Sequence, residues 1–195
     1  MIDEQFLKQQ KQLYLQLKQH DSQQDHRLAR YGSMELESVL FLSQLITLQN
    51  SQNILEIGTS AGFTTLWVAK MLENSTGHLI SVEKQPERSI FAQQNLQAFD
   101  LKTPIDFWIG DALQFLQQTT QCFDLIILDA ERSEYLSYWQ YLPQHVKPRG
   151  MIVIDRVISH AREVSEFISV IKSDTNFVMS HLAIGAGLCV LVKQA

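Results

Sequence analysis

The thirteen residues Ile54-Leu-Glu-Ile-Gly-Thr-Ser-Ala-Gly-Phe-Thr-Thr-Leu66 constrain the fold of this chain more than any other stretch. Ile54, Leu55 and Ile57 make a short apolar run suited to a strand buried on both faces. Gly58 and Gly62 permit a tight turn with bare backbone N–H groups, and a helix begins at once. A strand, a glycine turn and a helix start in this order aim unsatisfied N–H groups and the positive end of a helix dipole at one point, a cradle for a nucleotide-like ligand. In the spacing Glu56-x-Gly58-x-x-x-Gly62, the second and third glycines of the dinucleotide fingerprint G-x-G-x-x-G fall on Ser60 and Phe63, so the dehydrogenase pattern fails.

Downstream the pattern alternates. Apolar runs at residues 54–57, 78–82, 105–109, 123–128 and 151–154 read as strands, and the segments 62–72, 86–99, 111–118, 133–145 and 161–173 read as helices. Alternation of this kind predicts a parallel sheet with helices on both faces. Two last strands, 177–182 and 188–192, are separated only by Ala183-Ile-Gly-Ala-Gly187, which predicts an antiparallel hairpin at the sheet edge. The expected fold class is therefore α/β: a doubly wound, seven-stranded, mostly parallel sheet with a C-terminal antiparallel hairpin and extra N-terminal helices.

Residues 3–19 read as an exposed helix with Phe6, Leu7, Leu13 and Leu17 as its apolar stripe, interrupted by cap-type residues at 20–25. Residues 35–48, rich in Leu, Val and Ile, predict a second helix buried nearly all round. We expect residues 1–50 to form a helical extension packed on a core of residues 51–195, one structural domain overall, as a length of 195 residues allows. Pro148-Arg-Gly150 reads as a turn, and Tyr138, Trp139 and Tyr141 fall at core spacing with Leu136 and Leu142.

No apolar run approaches the length that spans a bilayer, and the N-terminus lacks the blocks of a secretory signal. Cys122 and Cys189 both lie in apolar, strand-like stretches, so a reduced, cytoplasmic protein with two buried thiols is expected. The formal net charge of −5 argues against a main task of gripping phosphate backbones, which makes a nucleic-acid partner a minor expectation.

Three acidic residues at strand ends carry chemistry. Glu83 closes the second strand, where a carboxylate can accept two hydrogen bonds from a ribose diol. Asp129 follows Phe123-Asp-Leu-Ile-Ile-Leu128, and Asp155 follows Met151-Ile-Val-Ile154. Each is aimed at the carboxyl edge of the sheet, where doubly wound folds bind ligands. Two such carboxylates on neighbouring strands need a cation between them, either a hard metal with oxygen ligands or a guanidinium.

These residues carry a resemblance. Residues 54–66, Ser81-Val-Glu83, Gly110-Asp-Ala112, Phe123 to Arg132, Tyr135 and Gly150 to Asp155 resemble the small S-adenosylmethionine-dependent O-methyltransferases, the group of the catechol and caffeoyl-coenzyme A enzymes. The resemblance covers roughly residues 24–192. It implies a Rossmann-like methyltransferase that binds S-adenosylmethionine and methylates a small-molecule hydroxyl. Carried over residue by residue, it implies that Glu56, Gly58 and Thr59 line the methionine end of the cofactor, with Gly62 in the same turn. Thr64 would contact its carboxylate, Glu83 the ribose, and Asp111 with Ala112 the adenine. Asp129 would lie beside the sulfonium with Glu131 nearby. Met34 and residues 25–33 would form part of the acceptor pocket, and a homodimer using the N-terminal helix is an expectation of the same kind.

The departures concern the metal. The family holds a divalent ion with an Asp at position 129 and an Asp-Asn pair, which here reads Asp155-Arg156. Arginine offers only donors and a fixed positive charge, so Asp129 and Asp155 remain as the only metal ligands of this set. One reading makes Arg156 the cation that neutralises both aspartates, with the metal weak or absent. The other points Arg156 to solvent and leaves magnesium on two carboxylates and waters. Arg132 replaces a Lys that can serve as base, and His160, just past the fifth strand, is the candidate that takes the proton. Two rival functions stay open: a tRNA-modifying methyltransferase, and a catalytically degenerate cofactor-binding protein.

Overall fold

The structure, a computed structural model, describes residues 2–195. Seven strands form one sheet: β1 (Asn53–Ile57), β2 (His78–Glu83), β3 (Ile105–Ile109), β4 (Phe123–Leu128), β5 (Val146–Ile154), β6 (Phe177–Leu182) and β7 (Leu188–Lys193). Their order is β3-β2-β1-β4-β5-β7-β6, parallel from β3 to β5, with β7 antiparallel to both β5 and β6. The doubly wound α/β sheet and its C-terminal hairpin are as the alternation predicts.

Among the described residues eight α-helices flank it: α1 (Glu4–Ser22), α2 (Leu36–Gln49), α3 (Phe63–Leu72), α4 (Pro86–Ala98), α5 (Ala112–Gln118), α6 (Tyr135–Trp139), α7 (Leu142–His145) and α8 (Ala161–Lys172). None among the described residues is long and apolar enough to cross a membrane. Asp3 starts α1 by accepting from the Phe6 N–H at 2.8 Å. The buried face of α1 is Phe6, Gln10, Leu13 and Leu17, and Phe6 meets Trp67 of α3 edge to face at 5.2 Å. Phe6, Leu13, Leu17 and Trp67 join Met34, Val39, Leu42 and Ile46 in the same apolar cluster as Leu66 of α3 and Ile54, Leu125 and Val153 of the sheet. A second cluster on the other face unites Leu55, Ile57, Ile126 and Ile152 with Phe115, Tyr135 and Phe167.

Four local expectations change. Helix α2 is not buried all round, because Leu40 and Leu48 face outward at 42% and 83% exposure while Val39, Leu42 and Ile46 face inward. The segment 133–145 breaks into a 3₁₀ turn (Arg132–Glu134) and two short helices, α7 carrying Pro143 in its first turn, where a missing N–H is harmless. Pro148-Arg-Gly150 is no loop but an irregularity inside a nine-residue β5, with Arg149 at φ 63° opposite the register shift between Phe123 and Leu125. Cys122 is exposed, because it sits in the connection just before β4 rather than within the strand; Cys189 is buried in β7 as expected.

The register matters most for function. Ile57 pairs with Val82 and Leu128, and Leu128 pairs with Ile154. The ladder runs one step further: Gly58 N–H donates to Val82 O, Asp129 N–H to Ile57 O, and Asp155 N–H to Leu128 O. Gly58, Glu83, Asp129 and Asp155 therefore stand along one carboxyl edge.

Candidate functional site

A cleft of about 870 Å³ opens over that edge. Its floor is Gly58, Glu83, Gly110, Ala112 and Asp129, and its rim includes Glu131, Arg132, Tyr138, Arg156 and His160. The volume falls within the range of cofactor and small-ligand sites.

Gly58 is held at φ 105°, and a Cβ there would lie 2.1 Å from the Asp129 carbonyl oxygen, so the β1 and β4 tips approach as closely as they do only with glycine. Gly62 does a different job from the one its place in the turn suggests. It lets α3 pack on α4, where a Cβ would meet Ala92 Cβ at 2.9 Å, and it does not line the cleft. Glu83 is fixed before any ligand arrives: Oε2 accepts from Ser60 N–H and Oε1 from Gln85 N–H, both at 2.9 Å. An ionised carboxylate has about four acceptor sites, so two remain for a pair of hydroxyls.

Glu56 and Thr59 are nearly fully buried and do not line the cleft. Glu56 Oε2 accepts from Thr65 and Ser81 hydroxyls, each at 2.6 Å, and Thr59 Oγ1 lies 2.6 Å from Ser81 Oγ. Burial pushes the Glu56 carboxyl up to about 8, with the charges of Asp129 and Glu83 adding to the rise and the two hydroxyls opposing it. Thr64, the second residue of α3, is also almost buried and off the cleft wall. Asp111 caps α5 through Leu113 N–H at 2.8 Å and meets Lys84 at 3.1 Å, leaving its neighbour Ala112 to form the wall.

The edge aspartates differ. Asp129 reaches the cleft, whereas Asp155 is 1% exposed and neither of its carboxylate oxygens has a hydrogen-bond partner among the described residues. Burial raises the Asp155 carboxyl to about 7, the Asp129 charge adds to this, and Arg156 offsets part of it. Arg156 Nε lies 3.6 Å from Asp155 Oδ2. Its Nη2 donates to the carbonyls of Gly32 and Ser33, the latter at 2.9 Å. The guanidinium is held further toward its charged form than usual, chiefly by Asp129. With its side chain 16% exposed, Arg156 does not point to solvent.

That geometry does not fit a divalent metal. An ion on Asp155 Oδ2 would lie within about 6 Å of the guanidinium, where two charges against one repel by roughly 5–6 kcal/mol at an effective dielectric of about 20. Among the described residues no cluster of three or more His, Cys, Asp or Glu side chains is placed to hold a metal.

Residues 23–35 form a strap across the cleft that sequence reasoning located only by resemblance. Tyr31 and Gly32 N–H groups donate to Asp21 at 2.7 and 2.8 Å, and Ser60 Oγ donates to Tyr31 O at 2.6 Å. Arg88 donates to Leu28 O and Arg30 O, and Phe91 stacks on Tyr31 at 5.2 Å. Arg27 bridges to both oxygens of Glu131 at 3.0 Å. Tyr31 and Gly32 line the cleft; Met34, expected there, is instead fully buried in the core. Tyr138, read as a core residue, is buried and also lines the cleft. On the far rim Arg132 pairs with Glu163 at 3.0 Å, and His160 Nδ1 lies 2.8 Å from Ser159 Oγ. Partial burial, with Arg132 adding, keeps the His160 imidazolium less stable than an ordinary one.

The sequence profile of the family described as O-methyltransferase matches residues 8–194. The chain belongs to the O-methyltransferase family. A catechol O-methyltransferase from Niastella koreensis is 34% identical over 130 residues, 65% of this chain and 58% of that protein. A caffeoyl-CoA O-methyltransferase from Eucalyptus globulus is 31% identical over 123 residues, 60% of this chain and 50% of that protein. The chain thus spans little more than half the length of the curated relatives it matches. Among solved structures, an O-methyltransferase from Bacillus cereus in complex with SAH superimposes with a TM-score of 0.79 at 23% identity, covering 96% of this chain and 91% of that one. The SAH-bound methyltransferase PaMTH1 from Podospora anserina does so with a TM-score of 0.82 at 15% identity, covering 100% and 89%. The fold of the chain is that of these structural neighbours.

Proposed function

We propose that the protein transfers a methyl group from S-adenosylmethionine to a hydroxyl of a small molecule. The observation that carries this reading is Glu83: a carboxylate at the end of β2, braced by two backbone N–H groups, with acceptor sites left for a ribose diol beside the Gly58 turn. Held there by Glu83 and the Gly58 turn, S-adenosylmethionine would supply an electrophilic methyl group on its sulfonium sulfur for an acceptor oxygen to take.

The chain's own residues do the rest. Asp129 sets a negative charge on the cleft floor against the sulfonium, and Glu131 stands beside it on the rim. Ala112 lines the wall for the adenine, positioned by the Asp111 cap, and Gly62 lets α3 pack on α4 behind the turn. Glu56 and Thr59 support the methionine end from below, through Ser81 and Thr65, rather than by direct contact. Strap residues Arg27, Leu28, Arg30, Tyr31 and Gly32 line the cleft. His160, neutral near pH 7, accepts the acceptor's proton.

Calorimetric titration with S-adenosylmethionine, followed by methyl transfer to a panel of phenols and catechols, tests the proposal. We expect saturable one-to-one binding and turnover of at least one hydroxylic acceptor. Absence of cofactor binding would refute it.

A further inference from the structure

The two strand-end aspartates pose a physical problem that the chain solves with its own side chain. Asp129 and Asp155 stand on adjacent strands, and Asp155 is enclosed with both oxygens unbonded. A buried carboxylate without hydrogen bonds is costly unless a cation faces it. The cation that faces it is Arg156, 3.6 Å away.

Three independent features show that this guanidinium is built in rather than swung in by chance. Arg156 adopts φ 64°, a left-handed backbone uncommon for a residue that is not glycine. Its Nη2 is tied to two carbonyls of the strap. Gly32, at φ 62°, leaves the room: a Cβ there would stand 2.8 Å from Arg156 Nη1. Nε faces Asp155, the Nη1 N–H groups have no hydrogen-bond acceptor among the described residues, and Arg156 lines the cleft.

We infer that this enzyme works without a bound divalent ion, that Arg156 is its resident cation, and that its acceptor is a single acidic hydroxyl held by the guanidinium rather than a vicinal pair chelated by a metal. The inference rests on the methyltransferase reading of the same cleft. A metal ion grips two adjacent oxygens at once and so favours diols, whereas a guanidinium donor satisfies one oxygen as well as two. The acceptor's O–H gives its proton to His160, and the oxygen's charge is met by the Nη1 N–H groups of Arg156.

The test uses chelator-treated full-length protein. Magnesium titrated calorimetrically, with and without S-adenosylhomocysteine, is expected to give no saturable heat with wild type, whereas Arg156→Asn, which offers a neutral oxygen in place of the charge, gains a magnesium site. With S-adenosylmethionine and chelator present, 4-nitrophenol and 4-nitrocatechol are expected to be methylated with kcat/KM values within about tenfold of each other, a difference no larger than one modest contact provides. Tight magnesium binding by wild type overturns the inference, as does methylation of the catechol alone that chelator abolishes. An Arg156→Asn protein that remains folded by circular dichroism yet gains no magnesium affinity removes the role given to the guanidinium. If S-adenosylmethionine itself fails to bind, the parent reading falls; if it binds and transfer then requires metal, only this inference falls.

Discussion

Glu56 gives the protein a stability that should decline toward alkaline pH in a way one substitution can isolate. Its carboxyl is buried beneath the cleft and titrates near 8 in the folded chain, against 4.5 when exposed, because burial disfavours its charge. Between those values the folded state keeps a proton that the unfolded state has released. Unfolding therefore releases a proton, and stability falls as pH rises from 4.5, levelling off above about 8. Each unit of difference is worth about 1.4 kcal/mol, so between pH 6 and pH 8 wild type should lose roughly 2–3 kcal/mol on account of this group alone. Glu56→Gln keeps an oxygen to accept from Thr65 and Ser81 but carries no titratable proton. All other titrating groups are shared, so the difference between the two proteins reports Glu56. With a urea slope of about 2–3 kcal/mol/M, the midpoint of the variant should gain on that of wild type by about 1 M between pH 6 and pH 9. Parallel midpoint-versus-pH curves for the two proteins would refute a protonated, buried Glu56.

Gly58→Ala should be among the most damaging single substitutions: a left-handed alanine costs about 1–3 kcal/mol, and the clash with the Asp129 carbonyl adds to it. A melting temperature within a few degrees of wild type would show that the β1 and β4 tips are not in contact. Glu83→Ala removes two charge-assisted acceptor sites from the cleft and should weaken S-adenosylmethionine by about 100-fold or more, at roughly 1.5–3 kcal/mol for each hydrogen bond, as read by calorimetry. His160→Ala should lower kcat without changing cofactor affinity and should abolish the acidic limb of the pH–rate profile, which in wild type lies below the ordinary histidine range because burial and Arg132 disfavour the imidazolium. Unchanged turnover would remove His160 from the proton's path.

What was legible in the sequence was local. The β1 run with its glycine turn announces itself because a doubly buried strand must be apolar and a tight turn must bend. Asp129 and Asp155 are legible because an apolar run that ends in a charge must place that charge outside the sheet. Side-chain direction within the first motif was not legible. Glu56 lies inside the strand, between Leu55 and Ile57, and only the partners Ser81 and Thr65, contributed by β2 and α3, turn its carboxyl inward. The strap was illegible for a related reason: Arg156 meets residues 123 and 124 positions away, and Arg88 meets residues 58 and 60 away, distances at which no periodicity carries information. Cys122 misled because apolar neighbours in sequence do not bury a residue that stands just before its strand.

Ser60 explains why the turn departs from the dinucleotide fingerprint. It adopts φ 50°, a conformation in which glycine would be free of strain and a serine costs about 1 kcal/mol. The side chain offsets a cost of that order, since Ser60 Oγ donates to Tyr31 O, while the backbone N–H donates to Glu83 Oε2. A glycine could brace Glu83 but could not hold the strap. One residue thus joins Glu83, the carboxylate proposed to hold a ribose, to the strap, as Arg156 joins Asp155 to the same segment at the next two residues, Gly32 and Ser33. The strap is therefore held to the floor of the site through Ser60 and Arg156 as well as to the flanking helices through Asp21 of α1 and Arg88 of α4.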